Sequence, residues 1–150
     1  MTQKQKDLRE LLFKDLCGRL NYGVKVEVSK DELQNYDNYW GGWSFNEGPQ
    51  EIDGVCIYGV TLACMELSDG VIPFEFIKPY LFPFSNIYEN EELMKEFDGL
   101  IELELKAISD EITHTQATEF EVDFYNKHHI DWRGLIPMGL ANDATNLNIY

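Results

Sequence analysis

Positive charge is scarce in this 150-residue sequence: 12 Lys and Arg stand against 27 Asp and Glu, a formal net charge of −15. Each phosphate contact needs a cation, so the balance argues against nucleic acid as a direct ligand. Cysteine is also rare, with only Cys17, Cys56 and Cys64 and no CxxC spacing. An odd, sparse set excludes a disulfide framework and reads as reduced thiols of a cytoplasmic protein. Each of the three falls in an apolar pattern, which predicts burial in the core. No stretch approaches the roughly 18 uninterrupted apolar residues of a membrane span. The N-terminal Met-Thr-Gln-Lys-Gln-Lys-Asp has positive charge but no apolar run behind it, so no secretory signal is legible. GxSxG, Gly-Lys-Ser/Thr, GxGxxG and EF-hand spacings are all missing.

Apolar side chains are present in quantity. Hydrophobic residues make up 44% and aromatics 13%, with nine Phe, eight Tyr and three Trp, enough to build a core and to exclude an acidic disordered tail. No repeat, low-complexity tract or linker divides the chain, so residues 1–150 read as one domain. The charge is unevenly placed. Residues 1–30 carry a net +3, residues 31–126 a net −18, and residues 127–150 balance. The densest acidic stretch, residues 89–111, holds nine acids against Lys95 and Lys106.

Periodicity predicts a helix over residues 3–20, with Leu8, Leu11, Leu12, Leu16 and Leu20 as its apolar stripe and Gly23 as its stop. Val24, Val26 and Val28 alternate with charged residues as a half-buried strand. Residues 29–53 lack a clear period and are rich in aromatics, with residues 42–45 a candidate short strand. Residues 55–65 are apolar at both parities, as in a strand covered on both faces. Asp69-Gly70 predicts a hairpin into a strand over residues 71–77, which should lie at an edge or carry a bulge at Pro73, because Pro73 cannot donate to a ladder. Residues 78–83 read as an extended, proline-punctuated connection. A second helix is predicted over residues 90–108 with Leu93, Phe97, Leu100, Ile101, Leu105 and Ile108 facing inward, and Gly99 weakening it. A third, over residues 114–127, is opened by the Thr113/Gln116 capping box and buries Ala117, Phe120 and Phe124. The expected fold is α+β: a small antiparallel sheet of about three to four strands against about three helices.

Three features could carry function. The first is the acidic helix face formed by Glu91, Glu92, Glu96, Asp98, Glu102 and Glu104, readable either as solvated charge or as a surface for a cationic partner. The second is the aromatic loop with Tyr39, Trp40 and Trp43, since Trp and Tyr dominate binding hot spots, although the same residues could fold back as a lid on the core. The third is His128-His129-Ile130-Asp131-Trp132-Arg133, where an imidazole near a carboxylate could act as a base or ligate a metal. Its spacing fits no zinc motif, and a structural reading is simpler: Asp131 and Arg133 pair or cap while Ile130 and Trp132 seal the core's edge. A Cys–His pair from Cys17 or Cys64 with His129 lacks any local feature that would depress a thiol pKa. The residues call for no metal and no cofactor.

Three segments carry a resemblance: Lys14-Asp15-Leu16-Cys17-Gly18-Arg19-Leu20-Asn21-Tyr22-Gly23-Val24, then Ile77-Lys78-Pro79-Tyr80-Leu81-Phe82-Pro83, then the run from His128 through Arg133 to Ala141. Together they resemble a family of small uncharacterised proteins of gut anaerobic bacteria and their phages or mobile elements. Relatives usually carry Pro in place of Asn21 and Met-Ser-Ser in place of Phe84-Ser85-Asn86, and the tail after Ala141 departs. The family has no established activity, so the resemblance implies an accessory, mobile-element-linked setting and transfers no catalytic residue.

The expected function is therefore that of a non-enzymatic acidic interaction protein. Its partner would be a protein with a basic surface, and a phage counter-defence protein imitating a nucleic-acid backbone is one specific form. Alternatives are an immunity-type protein neutralising a basic toxin, a small enzyme centred on His128, His129 and Asp131, and a structural component of a virion or element. No membrane contact is expected, and the sequence leaves the oligomeric state open.

Overall fold

The computed structural model describes residues 1–34, 47–64, 70–109 and 113–150. Helix α1 (Gln3–Arg19) opens on a capping box: the Thr2 hydroxyl accepts from Gln5 N–H, and the Gln5 side chain accepts from Thr2 N–H. Leu12 and Leu16 of its leucine stripe are buried. A 3-10 turn (Leu20–Tyr22) ends at Gly23, whose φ of 66° lies in the left-handed region that the predicted stop required. Strand β1 (Lys25–Val28) follows, with Val24 and Val26 buried beneath it, and then the short helix α2 (Lys30–Gln34).

The sheet is larger than expected. It adds β2 (Gln50–Cys56), β3 (Gly59–Leu62), β4 (Ile72–Pro73), β5 (Ile77–Leu81) and β6 (Asn142–Asp143), in the spatial order β4-β3-β2-β1-β5-β6. The β5–β6 pair is parallel and the other neighbours are antiparallel, so the α+β sheet is mixed and six-stranded rather than antiparallel with three to four strands. Among the described residues there are five helices rather than about three, the extra two being short: α2 and α3 (Asn86–Glu89).

Two local readings account for the missed strands. The strand expected over residues 55–65 is, over the described residues 55–64, not one strand but part of a hairpin, with Cys56 paired to Gly59 around a turn at Ile57 and Tyr58. Both turn residues are exposed, and neither is a residue that a tight turn selects. What the sequence does supply is Gly59. A Cβ there would lie 1.9 Å from the Ile72 carbonyl oxygen, so only glycine lets β4 pass this close. Residues 78–83, expected as a connection, largely form β5 between β1 and β6. Pairing with β6 begins only at Tyr80, so at Pro79 one side of β5 has no ladder to interrupt. Of the strand expected over residues 71–77, only Ile72 and Pro73 form a strand, the edge strand β4 that the missing N–H of Pro73 allows; Phe74–Phe76 make a 3-10 turn into β5, and Asp69 of the expected hairpin turn lies outside the described residues.

Helices α4 (Glu91–Ile108) and α5 (His114–Lys127) fall where periodicity puts them, and the Thr113/Gln116 capping box is formed. Two apolar clusters result. The larger packs α1 on the sheet through Leu12, Leu16, Val26, Val60, Leu62 and Ile77. The smaller holds Ile87, Phe124, Tyr125 and Ile130 beneath α3, α4 and α5. Between them lies a buried ion pair. Arg19, fully buried, donates to both Asp15 carboxylate oxygens at 2.7 and 3.0 Å and to the carbonyls of Tyr125 and Ile130 at 3.3 and 2.8 Å. One guanidinium thereby ties α1 to the end of α5. The cysteines depart from expectation: Cys17 and Cys64 are exposed and Cys56 is half-buried, because Cys17 lies beside the leucine stripe rather than on it and Cys64 falls past the end of β3.

Candidate functional site

Helix α4 begins at Asn90, whose side-chain oxygen accepts from the backbone N–H groups of Glu92 and Leu93 at 3.0 and 3.1 Å. Glu91 and Glu92 occupy the first turn, where the helix dipole favours negative charge. Glu96 meets the end of α5: its carboxylate lies 3.0 Å from Lys127 Nζ and 2.8 Å from His128 Nε2, so α4 and α5 run in opposite directions. Partial burial alone would raise the Glu96 pKa, but the hydrogen bonds from Lys127 and His128 outweigh it and hold the carboxyl below its ordinary range. An aromatic cluster fills the space between α3, α4 and α5, with Phe97 at 5.8 Å from Phe124 and at 6.3 and 6.4 Å from Phe84 and Tyr88 between ring centroids.

The far half of α4 corrects the sequence reading. Ile101, Leu105 and Ile108, expected to face inward, are 47%, 59% and 71% exposed, and Phe120 on α5 is exposed as well. The reason is geometric. At 100° per residue, the apolar positions of α4 from Leu103 through Ala107, Leu93 and Phe97 to Leu105 span an arc of about 200°. A single neighbour such as α5 covers roughly half of that. Ala107 is buried, Leu93, Met94, Phe97, Leu100 and Leu103 are half-buried, and Ile101, Leu105 and Ile108 emerge as an exposed stripe. The half-exposed Phe84 and the exposed Tyr88 extend it at the α3 end. The width of the apolar arc was the signal available in the sequence; a list of inward positions concealed it.

The carboxylates divide accordingly. Glu91, Asp98 and Glu102, seven and four residues apart, share the side of α4 next to the stripe, and all three are exposed. Glu104 borders the stripe on its other side, and Glu92 and Glu96 lie toward the end of α5, where Glu96 is already paired. The six acids therefore do not form one face. Tyr39, Trp40 and Trp43 lie outside the described residues.

The His-rich run does not converge. His128 turns to Glu96 on α4 and rests on Phe124, ring centroids 4.9 Å apart. His129 turns the other way and stacks on Tyr150. Asp131 is buried, and its two oxygens accept from the backbone N–H groups of Leu135 and Ile136 at 2.7 and 2.8 Å, so the carboxylate is a loop cap. Arg133 stacks over Trp132 at 4.0 Å and approaches Asp15 at 3.4 Å without a hydrogen bond from its Nε. Cys17 is exposed, but partial desolvation by its neighbours raises its thiol pKa, which disfavours the thiolate. Among the described residues no group of three or more His, Cys, Asp or Glu is placed to hold a metal ion, and no helix is long and apolar enough to cross a membrane. No protein-family model matches the chain, and no curated protein or solved structure is significantly similar to it. Any assignment therefore rests on the site itself.

Proposed function

We propose that the chain is a non-enzymatic interaction protein that binds a protein partner through the outer side of α4. The observation that carries this reading is an exposed apolar stripe bordered by exposed Glu91, Asp98 and Glu102, on a chain of net charge −15. Such a pairing of apolar centre and charged rim is what a partner with basic residues around an apolar patch requires. The resemblance to proteins of gut anaerobes and their phages supports an accessory role for a mobile element, with a host or defence protein as the partner. The apolar stripe has no counterpart in a phosphate backbone, and this favours protein recognition over imitation of nucleic acid alone. Exposed Cys17 and Cys64, both free, suit a reducing compartment such as the cytoplasm.

The test is retention of partner protein from host lysate on immobilised chain at low and high salt, beside the triple variant Glu91→Lys, Asp98→Lys, Glu102→Lys. A partner held at low salt and released by salt or by charge reversal is the expected result. Retention that ignores both manipulations would contradict the electrostatic reading.

A further inference from the structure

We propose that the occupant of the α4 stripe is a basic amphipathic helix of the partner, seated with its apolar face on Ile101, Leu105 and Ile108 and its Lys and Arg residues against Glu91, Asp98 and Glu102. This rests on the interaction reading above and names the chemistry of the partner. The exposed stripe from Ile101 to Ile108 rises about 10 Å, two turns of helix, and its residues are spaced i, i+4, i+7, the anchor spacing by which one helix seats on another. It is a helix face with its backbone hydrogen bonds closed internally, so it offers an incoming strand no ladder to extend. The adjacent carboxylates select the sign of the visitor. A second copy docking α4 on α4 would bring two acidic bands together, within a pair of chains each of net charge −15. Anionic lipid surfaces are repelled for the same reason. A cationic helix is the one occupant that covers the apolar stripe and neutralises its border at once.

The probe is a labelled synthetic peptide of Leu and Lys with leucines at i, i+3, i+4 and i+7, compared by fluorescence anisotropy with a scrambled peptide of equal composition. On the unaltered chain at low salt the patterned peptide should bind at least tenfold tighter than the scrambled one. The double variant Ile101→Ser, Leu105→Ser should erase that difference, and Glu91→Gln, Asp98→Asn, Glu102→Gln should weaken both peptides. Tyr58→Ser, which removes an exposed aromatic residue at the β2–β3 turn, should change neither. Equal binding of the two peptides overturns the helix-docking proposal and leaves the acidic-surface reading intact. Absence of binding by either peptide overturns both. Concentration-dependent self-association, or adsorption to phosphatidylcholine vesicles, that disappears in the double variant would make the occupant a second copy or a lipid surface and overturn the proposal. The peptide comparison on the unaltered chain does not depend on how any variant folds.

Discussion

The ring of Tyr150 lies on the ring of His129, centroids 3.9 Å apart and planes 14° from parallel. His129 occupies the position after the cap of α5 in the left-handed region, φ 54°, where glycine is usual. The backbone bonds His129 N–H to Asn126 and Ile130 N–H to Tyr125 close the helix end in that conformation. The Tyr150 hydroxyl donates to the Tyr80 carbonyl at 2.8 Å and accepts from Lys25 N–H at 3.0 Å, while Lys25 Nζ donates to the Ile149 carbonyl at 2.7 Å. Tail, sheet and α5 meet at this stack, which makes His129 a structural residue with an unusual backbone.

That geometry separates two substitutions. His129→Gly and His129→Ala both lose the stack, but only alanine keeps the left-handed strain, so alanine should be the less stable by about 1 kcal/mol. Urea midpoints of the two variants measure the difference; equal midpoints would mean that the segment relaxes out of the left-handed region.

Burial, reinforced by the charge of Arg19, pushes the His129 pKa down to about 4. The unfolded chain therefore takes up a proton near pH 6.5 that the folded chain refuses, and stability should fall as pH drops from about 6.5 to about 4. Glu96 adds to the loss at lower pH, because its depressed carboxyl must be protonated against Lys127 and His128. Thermal melts across this range should show the slope, and His129→Asn should flatten its upper part.

Asp15 neutralises a fully buried guanidinium. Asp15→Asn leaves Arg19 uncompensated between the two apolar clusters and should cost about 3–5 kcal/mol. Denaturant unfolding measures it, and a loss below about 1 kcal/mol would show that Arg19 has gained access to water.

Gly59→Ala places a methyl group 1.9 Å from the Ile72 carbonyl oxygen. The contact is with backbone, so β4 must move, and a destabilisation of about 1–3 kcal/mol is expected from a lowered melting temperature. An unchanged melting temperature would mean that β4 contributes little to the sheet.

Leu105→Ser and Phe124→Ala lie on facing helices but should behave oppositely. Leu105 is exposed, so its loss should change stability within about 0.5 kcal/mol, whereas truncating the buried Phe124 should cost about 3–5 kcal/mol. Comparable losses at both sites would show that the stripe is covered by the chain itself.

The sequence by itself determined the elements whose signals are local. The leucine spacing of α1, the Asn21-Tyr22-Gly23 stop, the valine alternation of β1 and the capping box of α5 each depend on neighbours a few residues away, and each is found in place. Pro73 at an edge belongs with them, since a missing N–H is a property of one residue. Only the tertiary structure decided where the β2–β3 hairpin turns, because Ile57 and Tyr58 carry no turn chemistry and the constraint is the approach of Ile72 to Gly59. It likewise decided that His128, His129 and Asp131 diverge, since adjacent residues at a helix end face different neighbours. The apolar arc of α4 was written in the sequence; which part of it is covered depends on α3 and α5, the helices packed against it, and periodicity cannot count neighbours.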